Sequence, residues 1–176
     1  AVTHPDKVSA LVLRGIFLCR PSEIEWFYQN GASHIFPDYW QPYWDYIPAN
    51  ERGDMVKAYY KRLTSENKDE QLKAARIWSI WEASTSALYF RPAAMDEYND
   101  PHKALPFARI ECHYFINKAF FKTDNYLLEN VQKLKNIPGV IIQGRYDVVC
   151  PATSAWDLHR AWPEAQLKII DDAGHA

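Results

Sequence analysis

The feature that most limits the fold is the uneven spacing of strand-like runs. One apolar run opens the chain at residues 8–17, rich in Val and Leu and interrupted only by Arg14 and Gly15. From Pro21 to about Asn136 the pattern is helical throughout. Pro, Asn and Asp separate helices expected at 22–30, 38–46, 51–64, 68–88, 105–120 and 124–134. Alternation then resumes, with a strand at 139–143, a helix at 153–162 and a strand at 166–170. Continuous apolar strands alternating with helices predict a parallel sheet covered on both faces. The block between the first two strands is too long for a simple crossover. The expected organisation is therefore an α/β core at 1–20 and 137–176, with an inserted all-helical cap at 21–136. Residues 1–5 read as a helix end closed by Pro5. Three strands are few beside the roughly 4–6 of a typical sheet, so the sequence reads as part of a longer α/β protein.

Composition narrows the function. Of 176 residues, 48% are hydrophobic and 24% charged, with a formal net charge of -2. There is no block of like charge, which argues against nucleic-acid binding through a basic face. No apolar run approaches the ~20 residues of a membrane helix. Cys19, Cys112 and Cys150 are an odd, widely spaced set that suits neither a disulfide framework nor a zinc site, and they suggest a reducing, cytoplasmic setting. His34, His102, His113 and His159 lack metal-ligand spacing, and no phosphate or nucleotide fingerprint is present. No metal or cofactor is expected. Aromatic residues are 15% of the chain, clustered at 26–60 and 78–90. They suit either plain core or the wall of an apolar pocket.

The chemistry is expected at strand ends, where open parallel sheets place their sites. The run VIIQGRYDVVCP, residues 140–151, ends one strand on Asp147. The run LKIIDDAGHA ends the next on Gly174 and His175. An acid after one strand and a histidine after the next match the last two members of a nucleophile–acid–histidine triad. Asp147 would fix the imidazole tautomer, and His175 would take a proton from a serine. The plainer alternative makes Asp147 a helix cap and His175 a loop residue. Asp171 and Asp172 are rival acids, but they lie too near His175 in sequence for the usual arrangement. No Gly-x-Ser-x-Gly occurs, so the nucleophile is expected before residue 1.

Two acids in the helical block are also candidates. In the helix expected at 68–88 the apolar stripe runs Ala74, Ile77, Trp78, Trp81, Thr85 and Leu88, with Glu82 at its edge. In the helix expected at 105–120, Glu111 lies four residues from both Phe107 and Phe115. A carboxylate among aromatics is costly unless it meets a cation or donors. A structural ion pair with Arg76, Arg109 or Lys118 would also satisfy that need.

The segments HPDKVSALVLRGIFL, EIEWFYQNGAS, WSIWEAS, ARIECHYF, GRYDVVCP and DAGH together resemble the proline iminopeptidase family, capped α/β-hydrolases, over nearly the whole chain. The resemblance implies a serine peptidase that releases N-terminal proline from peptides. It places the nucleophile in a Gly-Gly-Ser-Trp-Gly segment about ten residues before His4. It also implies that Glu82 and Glu111 hold the substrate's amino group, and that Phe17 and Cys150 line the proline-ring pocket. Three departures stand out: no N-terminal third, no tail after Ala176, and Ala176 where such proteins often carry serine. The 176-residue chain is accordingly expected to be inactive alone and prone to aggregate through an exposed sheet edge. Alternatives are a capped esterase or epoxide-hydrolase-like enzyme, and a non-catalytic fragment.

Overall fold

The computed structural model describes residues 1–89 and 100–176. The Pro- and Asp-punctuated stretch at 90–99 lies outside the described residues. Three parallel strands form one sheet in the order β1 (Leu11–Arg14), β2 (Gly139–Gly144), β3 (Gln166–Ile170). Leu11 pairs with Gly139, and Val140 pairs with Gln166. The central strand is the apolar one: Ile141 is fully buried, whereas Val12 on the edge strand is 72% exposed.

β1 is shorter than the run at 8–17. It stops at Gly15, whose φ of +59° lies in the left-handed region, where a side chain would be strained. The chain start also differs from the expected helix end: it is a turn followed by a 3-10 segment at Pro5–Lys7.

The helical block opens with α1 (Pro21–Tyr28), α2 (Pro37–Asp45) and α3 (Met55–Leu63). It continues with α4 (Lys68–Ser86), α5 (Pro101–Ile116) and α6 (Tyr126–Asn130). Caps explain the boundaries. Asp54 accepts from Lys57 N–H and starts α3 four residues later than expected; 49–51 form a 3-10 turn instead. Asn67 caps α4 by accepting from the N–H groups of Asp69 and Glu70. Asp100 followed by Pro101 starts α5 before Leu105. α5 ends at Ile116 because Lys118, Ala119 and Phe120 all take positive φ. The helix expected at 124–134 divides into α6 and a 3-10 segment at Val131–Leu134. α7 (Ala152–Ala161) joins β2 to β3.

Two apolar clusters result among the described residues. Trp78, Trp81, Tyr43, Tyr59, Met55 and Leu63 centre the helical one. Ile16, Ile141, Val131, Leu134 and Trp162 centre the one on the sheet. Polar links join α1 to the segment that follows β2. Trp26 Nε1 donates to Val148 O at 2.8 Å. Arg20, at the head of α1, reaches Asp157 at 2.8 Å and Ser154 Oγ at 3.2 Å on α7. These links fix α1 against the loop that follows β2 and against α7.

Candidate functional site

β2 ends on Gly144, a position with no room for a side chain. A Cβ on Gly144 would lie 2.0 Å from Gly174 O. That close approach brings the segment after β3 across the end of β2, and with it His175. The same segment docks on the helical block. His175 N–H and Ala176 N–H donate to Ser86 O at 3.0 and 2.9 Å, satisfying a carbonyl at the α4 C-terminus that has no intrahelical partner.

His175 Nδ1 lies 3.0 Å from Asp147 Oδ2. A carboxylate can only accept, so Nδ1 carries the proton and Nε2 is left free of it in the neutral ring. Asp147 is 5% exposed, and its other oxygen, Oδ1, accepts from Cys150 N–H at 2.7 Å. The rival acids differ sharply. Asp171 and Asp172 are exposed, and Asp171 faces Arg145 at 3.6 Å. Gly15 packs against the pair: a Cβ there would stand 3.0 Å from His175 Cε1 and 3.8 Å from Asp147 Oδ2.

A cavity of about 390 Å³ opens beside the imidazole, lined among others by Phe17, Glu82, Glu111, Phe115, Cys150 and His175. The sequence-derived candidates thus meet at one place, with Asp147 behind His175 rather than on the cavity wall. Phe17 and Phe115 pack edge to face, with centroids 5.7 Å apart. Burial, then Asp147, pushes the Cys150 thiol up, so it presents a neutral, apolar wall. A larger cavity of about 670 Å³ lies on the far side of Tyr28 and Phe115 and lacks the histidine.

The two acids are held by aromatic donors. Tyr28 Oη donates to Glu82 Oε1, and Trp78 Nε1 donates to Glu111 Oε2 at 2.9 Å. The donor rings themselves stack, with centroids 4.4 Å apart and planes 14° apart. Lys118, one of the cations considered for them, faces Asp124 instead at 3.7 Å. Burial and the neighbouring Glu111 push the Glu82 carboxyl well above the usual range, although the Tyr28 bond opposes this. Burial raises Glu111 to about 7, opposed by the Trp78 bond and the nearby His175. Burial and both acids raise the Tyr28 phenol, which stays a donor.

Sequence reasoning missed Tyr28, Trp78, Gly15 and Gln143. Trp78 was legible only as part of an apolar stripe. Gln143 carried a signal, being the one polar side chain in VIIQG. Gln143 Nε2 donates to Asp147 Oδ2 at 2.9 Å. Among the described residues, no cluster of three or more His, Cys, Asp or Glu could hold a metal ion. Among the same residues, no helix is long and apolar enough to cross a membrane.

Known proteins resemble this arrangement in sequence. The chain is 54% identical over 176 residues to a proline iminopeptidase of Xylella fastidiosa (strain 9a5c), covering 100% of this chain and 56% of that protein. It is 55% identical over 177 residues to a proline iminopeptidase of Arabidopsis thaliana, covering 99% and 46% respectively. It is 43% identical over 176 residues to one of Neisseria gonorrhoeae, covering 99% and 55%. The chain spans about half the length of the curated relatives it matches. The profile of the alpha/beta hydrolase fold matches residues 1–176, and with the parallel sheet in place the chain belongs to the alpha/beta hydrolase fold family.

Proposed function

We propose that the intact protein is a serine-type aminopeptidase that releases proline from peptide N-termini. The observation that carries this reading is the convergence of buried Glu82, half-buried Glu111 and a carboxylate-held histidine on one apolar-walled cavity. An N-terminal proline is a secondary ammonium with two N–H donors on an apolar ring. Glu82 and Glu111 would each receive one N–H, and Phe17, Phe115 and Cys150 would enclose the ring. The relatives' names support the same substrate.

In this mechanism a serine from a segment outside these 176 residues attacks the prolyl carbonyl. His175 Nε2 takes the serine proton and delivers it to the leaving amine, then takes a proton from the water that hydrolyses the prolyl-serine ester and returns it to the serine. Asp147 holds Nδ1–H and stabilises the imidazolium without itself being protonated. Both cap acids carry raised pKa values, so binding a cation there favours their ionised forms. The residues at 1–20 and 137–176 form the catalytic core in this reading, and 21–136 form the cap. The two separate apolar clusters support that division, with Val131 and Leu134 seated on the core side. A cytoplasmic location is part of the proposal, supported by three free cysteines.

The test is hydrolysis of prolyl-2-naphthylamide by the intact protein, beside an N-acetylprolyl analogue and a small neutral ester. Rapid release from the free prolyl substrate, with little from the acetylated one, is expected. Equal handling of both would replace the aminopeptidase by a general esterase.

A further inference from the structure

Gln143 is fully buried, and its amide is fully used. Its Oε1 accepts from Ile16 N–H at 3.0 Å. Its Nε2 donates to Asp147 Oδ2 at 2.9 Å and to Cys150 O at 2.9 Å, with Gly144 O further away at 3.4 Å. The amide has one possible orientation. Ile16 N–H can only donate and Cys150 O can only accept, so the carbonyl must face Ile16 and the NH₂ group must face the acid.

We propose that Gln143 is a positioning residue for the Asp147–His175 pair and couples that pair to the walls of the substrate cavity. This rests on the functional reading above. Asp147 Oδ2 receives two donors, Gln143 Nε2 and His175 Nδ1, while Oδ1 receives Cys150 N–H. Three donors from three directions leave the carboxylate plane no freedom to rotate. The same amide grips Ile16, which precedes the ring-wall residue Phe17, and Cys150, which is itself a wall residue. A shift of either wall is therefore transmitted to the acid through one planar group.

Removing the Gln143 donor has a sign that mere loss of packing lacks. An Asp147 carboxylate with one donor fewer concentrates more charge on Oδ2. That charge stabilises the His175 imidazolium, so the imidazole pKa rises. Glu111 also faces His175 across the cavity and is unchanged by the substitution.

The experiment is Gln143→Met in the intact protein, with folding checked by circular dichroism and thermal melting. The His175 imidazole is titrated by NMR, its signal assigned by its absence in His175→Ala. The acid limb of kcat/KM is measured on the neutral ester. The expected result is a rise of both His175 titration and acid limb by roughly one pH unit. A ten- to hundredfold loss of turnover, roughly that of a lost charge-assisted hydrogen bond, should accompany it. A folded variant whose titration and acid limb coincide with the parent overturns the proposal. A second measurement needs no variant: a Gln143 side-chain NH₂ resonance of the parent should titrate together with His175, and a resonance flat through that titration also overturns it. Neither NMR readout depends on the substrate. If the parent fails to release proline while these signals move as stated, the aminopeptidase reading fails and the positioning role stands.

Discussion

The strand-end cluster and the acid pair of the helical block solve opposite electrostatic problems. Around Asp147 each carboxylate oxygen meets N–H donors, two on Oδ2 and one on Oδ1. Around Glu82 and Glu111 the donors are a phenol and an indole, and burial drives both acids toward their protonated forms. The first cluster is complete in the protein alone. Among the described residues the second is held by neutral donors, and in the proposed reading a cationic ligand supplies the positive charge. Preorganisation thus belongs to the proposed chemical step, and an unmet charge belongs to the proposed specificity.

The largest expected effect breaks the complete cluster. Asp147→Asn in the intact protein should fold but lose turnover by about 10⁴, because an amide no longer selects the Nδ1–H tautomer. The loss should be the same on prolyl and neutral ester substrates. Near-normal rates would remove Asp147 from the acid role and direct attention to Asp172 or Asp171.

The next largest sharpens the contrast. Glu82→Gln and Glu111→Gln should each lower the specificity constant for free prolyl substrates by about ten- to a hundredfold, the cost of a charge-assisted hydrogen bond. The neutral ester should be hydrolysed almost as well as by the parent. Equal losses on both substrates would mean that these acids hold the helices together. No loss on either would favour the esterase.

A smaller effect is expected at Gly15, where the two problems meet at the cavity floor. Gly15→Ala places a Cβ 3.0 Å from His175 Cε1 and strains a φ of +59°. The left-handed conformation alone costs about 1–2 kcal/mol. A lowered melting temperature, with an activity loss of about tenfold or less, should follow. Unchanged stability and activity would show that the loop relaxes and that the glycine does not set the imidazole position.

The contrast also explains what was legible in the sequence. Periodicity and turn residues exposed the strands, the helices and their order, because those signals lie within a few residues of each other. The end of β1 was misjudged because Val8 and Phe17 are apolar, while the strand is cut by the left-handed Gly15. The start of α5 was misjudged because Asp100–Pro101 outweighs the apolar period that begins at Leu105. Asp147 and His175 could be suspected because each closes an apolar run. Gln143 and Gly15 could not be assigned roles, since Gln143 meets Ile16 across a separation of 127 residues and Gly15 meets His175 only in three dimensions. Tyr28 and Trp78 were hidden for another reason: their ring faces are ordinary core, and only one polar atom of each serves an acid.

The smallest expected effect is on stability, and it tests the unmet charge without any substrate. Glu111 has its carboxyl raised to about 7 from an ordinary 4.5. Between those values the folded protein binds more protons than the unfolded chain, so this group's contribution to stability falls as pH rises through the window. Below the lower value both states are protonated and nothing is lost; above the upper value the full penalty of a half-buried charge is present. Glu111→Gln cannot ionise, and its carbonyl can still accept from Trp78 Nε1. Its melting temperature should therefore match the parent near pH 4 and exceed it progressively up to about pH 8. A prolyl amide, added as a cation, should narrow the gap at pH 8 by stabilising only the parent. A gap that is constant across pH would mean that Glu111 is already compensated within the protein, and the division between the two clusters would be lost. A gap that widens with pH but ignores the prolyl amide would keep the raised carboxyl and reject this ligand as its counter-ion.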